Sequence, residues 1–139
     1  MNYLCFDIGG RRTGIATGDD VSGFVSPVDV VEASSDDHLL QQLAEHVRDY
    51  QPDAIVIGLP LNMDGSDSGG SRRVRELADA MRQRFGCDIH LHDERLTSFD
   101  ADQQMARSGR THLQKKKLRD ALAAVAILRD YLAARREAK

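Results

Sequence analysis

Three acids stand where the surrounding pattern is apolar: Asp7, Glu94 and Asp120. Asp7 sits in Leu4-Cys5-Phe6-Asp7-Ile8-Gly9, whose apolar alternation reads as a strand. Glu94 follows the alternating segment Asp88-Ile89-His90-Leu91-His92, within Asp93-Glu94-Arg95-Leu96-Thr97-Ser98. Asp120 shares a helical row with Ala124, Ile127 and Tyr131, so it should face a sheet rather than water. A lone ionised carboxylate in such a setting is costly unless something compensates it. Three carboxylates converging without lysine partners would repel one another, and a divalent cation resolves the conflict. Ligation by oxygen alone selects Mg²⁺ or Mn²⁺, and such a site commonly serves in-line attack at phosphate. Taken singly, each acid has an ordinary structural role. Asp7 could cap the following turn, Glu94 could pair with Arg95, and Asp120 could cap a helix start.

The elements that must position these acids follow from the periodicity. Residues 3–8 form a first strand, Gly9-Gly10-Arg11-Arg12 a hairpin turn, and residues 13–18 a second strand. The glycines and small residues of that second strand suit close backbone approach. Val25 to Val31 is a third apolar run, with Pro27 pointing to an edge position. Ser34-Ser35-Asp36-Asp37 opens a helix that Pro52 ends. Ala54-Ile55-Val56-Ile57-Gly58-Leu59 is continuously apolar, as in a parallel strand covered on both faces. A loop through Ser71 follows it, at the carboxyl end of a buried strand, where open α/β sheets bind ligands. Val74, Leu77, Met81 and Phe85 mark the next helix, with Gly86 as its stop. Thr97 or Ser98 should cap a helix through about Ser108, stopped by Gly109. The last helix should run from about Gln114 to Arg135, with Leu118, Leu122, Val125, Leu128 and Leu132 on one face. A hairpin-rich start feeding βα units implies an α/β fold: a mixed five-stranded sheet, antiparallel in its first three strands and then parallel, flanked by helices.

At 139 residues with ordinary apolar and charged fractions, one domain spanning 1–139 is expected. Neither a signal peptide nor a transmembrane helix is expected. Cys5 and Cys87 read as small buried residues of a reduced, cytoplasmic protein, and no Cys/His spacing suggests zinc. The net charge of −3 hides a patterned distribution. Arg11 and Arg12 flank the first turn, Arg72, Arg73 and Arg75 open a helix, and Arg107, Arg110, Lys115, Lys116, Lys117 and Arg119 crowd one late stretch. Acids amid separate basic runs suit a metal-dependent enzyme of nucleic acids, although any single run also reads as a solvated helix face. Arg12, Arg72 and Arg73 could hold phosphates, and Lys115, Lys116 and Lys117 could bind backbone near Asp120. His90 and His92 share a face and read as strand residues. Few aromatics argue against base stacking as the main mode of recognition.

Four blocks, in order and covering nearly the whole chain, resemble the YqgF family. They are Asp7-Ile8-Gly9 with Arg12 and Gly14; Gly58-Leu59-Pro60-Leu61-Asn62-Met63-Asp64-Gly65; Asp93-Glu94-Arg95-Leu96-Thr97-Ser98; and Lys117-Leu118-Arg119-Asp120-Ala121-Leu122-Ala123-Ala124. That family is described as pre-16S ribosomal RNA nucleases and also as Holliday junction resolvases. The resemblance implies a ribonuclease H-like fold related to the RuvC resolvases and a cytoplasmic role at the 5′ end of 16S ribosomal RNA. It implies Asp7, Glu94 and Asp120 as catalytic, metal-binding acids, and it adds Asn62 to the nucleic-acid-binding set. The chain departs from the family at Gly10-Arg11-Arg12, where a threonine or serine and a lysine often precede the arginine. It also lacks the proline often found near Ser66-Asp67-Ser68-Gly69-Gly70-Ser71.

The expected partners are structured RNA, specifically pre-16S rRNA, or branched DNA, with no membrane. A junction resolvase nicks two strands symmetrically and would require a homodimer. Two other classes compete with a nuclease. The Asp7 strand and glycine turn resemble the phosphate-binding turn of sugar kinases and actin-like ATPases, but those clamp ATP between two such domains. A non-catalytic nucleic-acid-binding module is the other, and the three acids weigh against it because an anionic cluster repels phosphate.

Overall fold

The computed structural model describes residues 1–96 and 112–137, with side chains placed for 1–95 and 118–137. Five strands form one sheet in the order β3-β2-β1-β4-β5. β1 (Asn2–Ile8), β2 (Arg12–Asp19) and β3 (Val25–Glu32) pair antiparallel, while β4 (Ala54–Leu59) and β5 (Asp88–Asp93) run parallel to β1. This is the mixed sheet that the sequence predicts. α1 (Asp36–Tyr50) and α2 (Gly69–Arg84) pack on one face, and α3 (His112–Glu137) packs on the other. A 3-10 turn, Glu94–Leu96, continues from β5. The helix expected between Thr97 or Ser98 and Gly109 lies outside the described residues.

Local chemistry sets the element ends. Ser35 caps α1 by accepting the His38 amide at 3.1 Å, with Asp36 and Asp37 in the first turn where the helix dipole favours acids. Gln51 closes α1 in the left-handed region at φ 46, and Pro52 follows. α2 begins earlier than its apolar spacing suggests. The Gly69-Gly70 pair reads as loop, but Ser68 and Ser71 form a reciprocal capping box that starts the helix there. Its end also differs: Phe85, not Gly86, is the cap, in extended geometry and with its ring buried in the core. β3 is an edge strand, and the β2–β3 register shifts between Ile15 and Ala16, so Val28 next to Pro27 has no partner.

The two faces of the sheet are built differently. Toward α1 and α2, Leu4, Phe6, Ile15, Ile55 and Ile57 meet Leu39, Leu43, Val74, Leu77 and Met81. Toward α3 the strands present mostly smaller residues, apart from Tyr3. Cys5, Ala16, Ala54 and Val56 meet Ala124, Val125, Ile127, Leu128, Tyr131 and Leu132. The helical row Asp120, Ala124, Ile127 and Tyr131 therefore faces the sheet as expected. Leu118 and Leu122 are only half-buried, so the apolar face of α3 is rotated toward Ala121 and Ala124 from the leucine stripe read in the sequence. Glycines make the close approach work. A Cβ on Gly14 would collide with the Asp120 carbonyl, and one on Gly18 would lie 3.1 Å from Leu128 Cδ2.

Candidate active site

Strand parity sends two of the acids to the same face. On β1, Tyr3 and Cys5 point toward α3, and Asp7 continues that side. On β5, His90 and His92 lie against Tyr131 of α3, with ring centroids 6.0 and 5.7 Å away, and Glu94 continues their side. Asp7 and Glu94 meet, close enough for the Glu94 carboxyl to donate to Asp7. Burial is the largest influence on both. It raises Asp7, with the Asp120 charge adding to the rise and the Glu94 hydrogen bond opposing it. Burial, the Asp7 hydrogen bond and the charges of Asp7 and Asp93 push Glu94 up to about 8. At neutral pH the pair therefore holds one shared proton. Below it, burial and then the charges of Asp7 and Glu94 raise the Cys5 thiol well above its ordinary range.

Gly58 is a site residue that the sequence reading left unassigned. A Cβ there would collide with Glu94 Oε1 and stand 2.8 Å from both Glu94 Cγ and Ile127 Cδ1. The signal was present: a single glycine interrupts the aliphatic β4 run.

The third acid approaches from α3. The Asp120 backbone sits over Gly14, the register partner of Asp7, so the helix delivers it beside the pair. Its side chain turns to Arg12, whose Nε lies 3.1 Å from Oδ2. The contact is an ion pair without a directed N–H, and buried Oδ2 accepts no hydrogen bond among the described residues. Among the described residues, no three Asp, Glu, His or Cys side chains stand at metal-holding spacing. The structure thus brings Asp7 and Glu94 together and leaves Asp120 held by Arg12. Arg12 and Asp120 line an open groove of about 380 Å³ with Gly9, Gly10, Arg11 and Glu32.

Two arginines brace the loops around the pair. Arg73, expected at phosphate, donates from Nη1 to the Gly9 carbonyl at 2.6 Å and from Nε and Nη2 to Asp36 Oδ1 at 3.1 and 3.0 Å. It ties the turn after Asp7 to the start of α1. Arg95 does not pair with Glu94. It grips Asp93 with Nε and Nη2, the latter at 2.7 Å, and Nη1 donates to the Met63 carbonyl at 2.9 Å. Asn62 braces the same loop internally, its amide donating to Ser66 Oγ and the Asp67 carbonyl, both at 3.1 Å. Arg72 is exposed on the first turns of α2. Lys115, Lys116 and Lys117 lie on α3, and their side chains fall outside the described residues. His92 holds Asp130 of α3 at 2.5 Å, which fastens β5 to the helix carrying Asp120.

A half-buried two-carboxylate contact beside a third acid and a groove lined by Arg11, Arg12, Glu32 and Asp120 is the arrangement to set against known proteins. The family model described as "RuvX: Holliday junction resolvase" matches residues 1–134. The chain belongs to this family. Curated relatives carry the name "Putative pre-16S rRNA nuclease". The protein of Azotobacter vinelandii is 38% identical over 132 residues, covering 95% of this chain and 93% of its own length. That of Pseudomonas putida is 37% identical over 132 residues, covering 94% of each. Among solved structures, Thermus thermophilus RuvC in complex with Holliday junction substrate matches with a TM-score of 0.60 at 13% identity, covering 97% of this chain and 95% of that one. A fowlpox virus resolvase bound to Holliday junction DNA matches with a TM-score of 0.59 at 10% identity, covering 95% and 99%. The fold of this RuvX-family chain is therefore ribonuclease H-like, and the chain is a nuclease, a hydrolase of phosphodiester bonds. Among the described residues, no helix is long and apolar enough to cross a membrane.

Proposed function

We propose that this chain is a divalent-metal-dependent endonuclease of the cytoplasm, one domain over residues 1–139, that processes the 5′ side of precursor 16S rRNA. The observation that carries the site assignment is the Asp7–Glu94 contact. Two carboxylates meet at a half-buried position, and no Lys or Arg pairs with either among the described residues. Burial penalises the ionised form of each, so the pair carries a proton at neutral pH that a bound cation would replace. The donor chemistry fits Mg²⁺ or Mn²⁺: three hard oxygen donors, one of them the unbonded Asp120 Oδ2. Asp7, Glu94 and Asp120 would hold the ion, which would supply Lewis-acid charge at the scissile phosphate and a more acidic attacking water. The chain's own residues do the rest. Arg12 and exposed Arg72 meet the phosphate backbone, as do Lys115, Lys116 and Lys117 from α3. Asn62 and Arg73 act at the nucleic acid through the loops they hold.

The rRNA reading is supported by the names of the curated relatives, which match this chain over nearly its whole length. A second reading, cleavage of branched DNA, is supported by the family description and the junction-bound structural neighbours, and it would call for a homodimer. Incubating purified protein and its Asp7→Asn variant with precursor 16S rRNA and with a four-way junction separates them. The parent should cut the RNA with Mg²⁺ or Mn²⁺ and not in chelator. Asp7→Asn should lose about 10²-fold or more, since even outer-shell changes at metal sites cost up to that much. Parental cleavage by Asp7→Asn would refute the site, and cleavage confined to the junction would favour the second reading.

A further inference from the structure

The groove at the first hairpin contains a cation of the protein's own beside the third acid. Arg12 Nε lies 3.1 Å from Asp120 Oδ2, and both side chains are part-exposed, at 29% and 27%. The contact lacks a directed hydrogen bond, so the oxygen is neutralised without being saturated. The backbones at this point are fixed. Asp120 is seated over Gly14, and Arg12 is locked in the β1–β2 hairpin, where the Gly9 amide donates to the Arg12 carbonyl at 2.9 Å. The open groove gives the guanidinium room to turn away from Asp120.

We propose that Arg12 is the resident counter-ion of Asp120: it holds the carboxylate in the metal-free protein, cedes it to the divalent cation, and is thereby released to a phosphate in the groove. This rests on the metal-site reading above and deepens it. A guanidinium and a divalent cation compete for one oxygen, so Arg12 weakens metal binding while supporting substrate binding. A part-exposed ion pair contributes little, which makes the exchange a shallow one. The competing explanation is that any positive charge near the acids repels a cation. Arg11 supplies the control, because it lines the same groove with the same charge and does not pair with Asp120.

The test is Mn²⁺ titration calorimetry on the full chain for the parent, Arg12→Ala, Arg12→Gln, Arg11→Ala, and Asp120→Asn with and without Arg12→Ala, alongside turnover of precursor rRNA. Arg12→Ala and Arg12→Gln should bind Mn²⁺ about two- to fivefold more tightly, the worth of such a pair, yet turn substrate over more slowly. Arg11→Ala should tighten binding less, and Asp120→Asn should abolish the effect of Arg12→Ala. Equal tightening by Arg11→Ala, or unchanged or weakened Mn²⁺ binding in both Arg12 variants, would overturn the proposal while leaving the metal site standing. A parent that binds no Mn²⁺, or an added Asp7→Asn titration that matches the parent, would overturn the site reading and the proposal together.

Discussion

The two faces of the sheet solve opposite problems. Against α1 and α2 the strands bury leucine, isoleucine and phenylalanine. Against α3 the same strands offer Tyr3 but otherwise glycine, alanine, cysteine and valine, and the helix comes close enough for Asp120 to rest over Gly14. One face supplies apolar burial, the main source of folding free energy. The other gives up side-chain volume to bring acids from three elements to one end of the sheet. The same alternation along β1 serves both: Leu4, Phe6 and Ile8 fill the first core while Tyr3, Cys5 and Asp7 line the second face. Among the described residues, the half-buried carboxylate pair lies on the α3 side, and the α1/α2 side can hold the fold while the site is altered.

That division can be broken from either side. The largest effect is expected from Gly58→Val on the α3 face. The new side chain would displace Glu94 and press on Ile127. Overpacking of this kind costs about 1–3 kcal/mol, and a displacement of roughly 1 Å at the acid should cost about 10²-fold in turnover. Rate assays at saturating metal, read beside a denaturant melt, check both. Leu43→Ala on the opposite face should do the reverse. It should lose about 2–5 kcal/mol of stability, while cleavage per folded molecule stays within a factor of about two of the parent. A large rate defect in Leu43→Ala with the fold intact would mean the faces are coupled.

The smallest effect is electrostatic and should separate the faces by pH. Glu94 has its folded pKa raised to about 8 from the ordinary 4.5. Between those values the folded chain binds a proton that the unfolded chain has released, so stability falls as pH rises. The contribution is fully present below about pH 4.5 and is lost as pH passes through about 8. In chelator, the melting temperature of the parent should therefore decline across that window more steeply than that of Glu94→Gln. Parallel profiles for the two proteins would show that Glu94 is not held protonated by its burial and its contact with Asp7.

Much of the α3 face was legible in the residues because it obeys short-range periodicity. Asp120 follows the row of Ala124, Ile127 and Tyr131, Asp7 ends an alternating strand, and His90 and His92 share a side that Glu94 extends. The glycines of β2 announced close backbone approach. What stayed hidden depends on contacts between distant segments. Arg73 reads as a surface cation until the Gly9 carbonyl is placed next to it. Arg95 reads as a partner for the adjacent Glu94 until the Met63 loop offers a carbonyl on the other side. Arg12 carries no mark that it will meet Asp120 rather than a phosphate. The start of α2 was hidden for a local reason: two glycines mask a helix whose serines supply the cap.

The central claim is that Asp7, Glu94 and Asp120 belong to one metal site, with Asp120 leaving Arg12 to join it. Anomalous diffraction from crystals grown with Mn²⁺ tests this most directly. The account predicts a manganese peak contacted by all three carboxylates and an Arg12 guanidinium no longer paired with Asp120. Crystals saturated with Mn²⁺ that show no peak at Asp7 and Glu94, or a peak there with Asp120 still bound to Arg12, would contradict it.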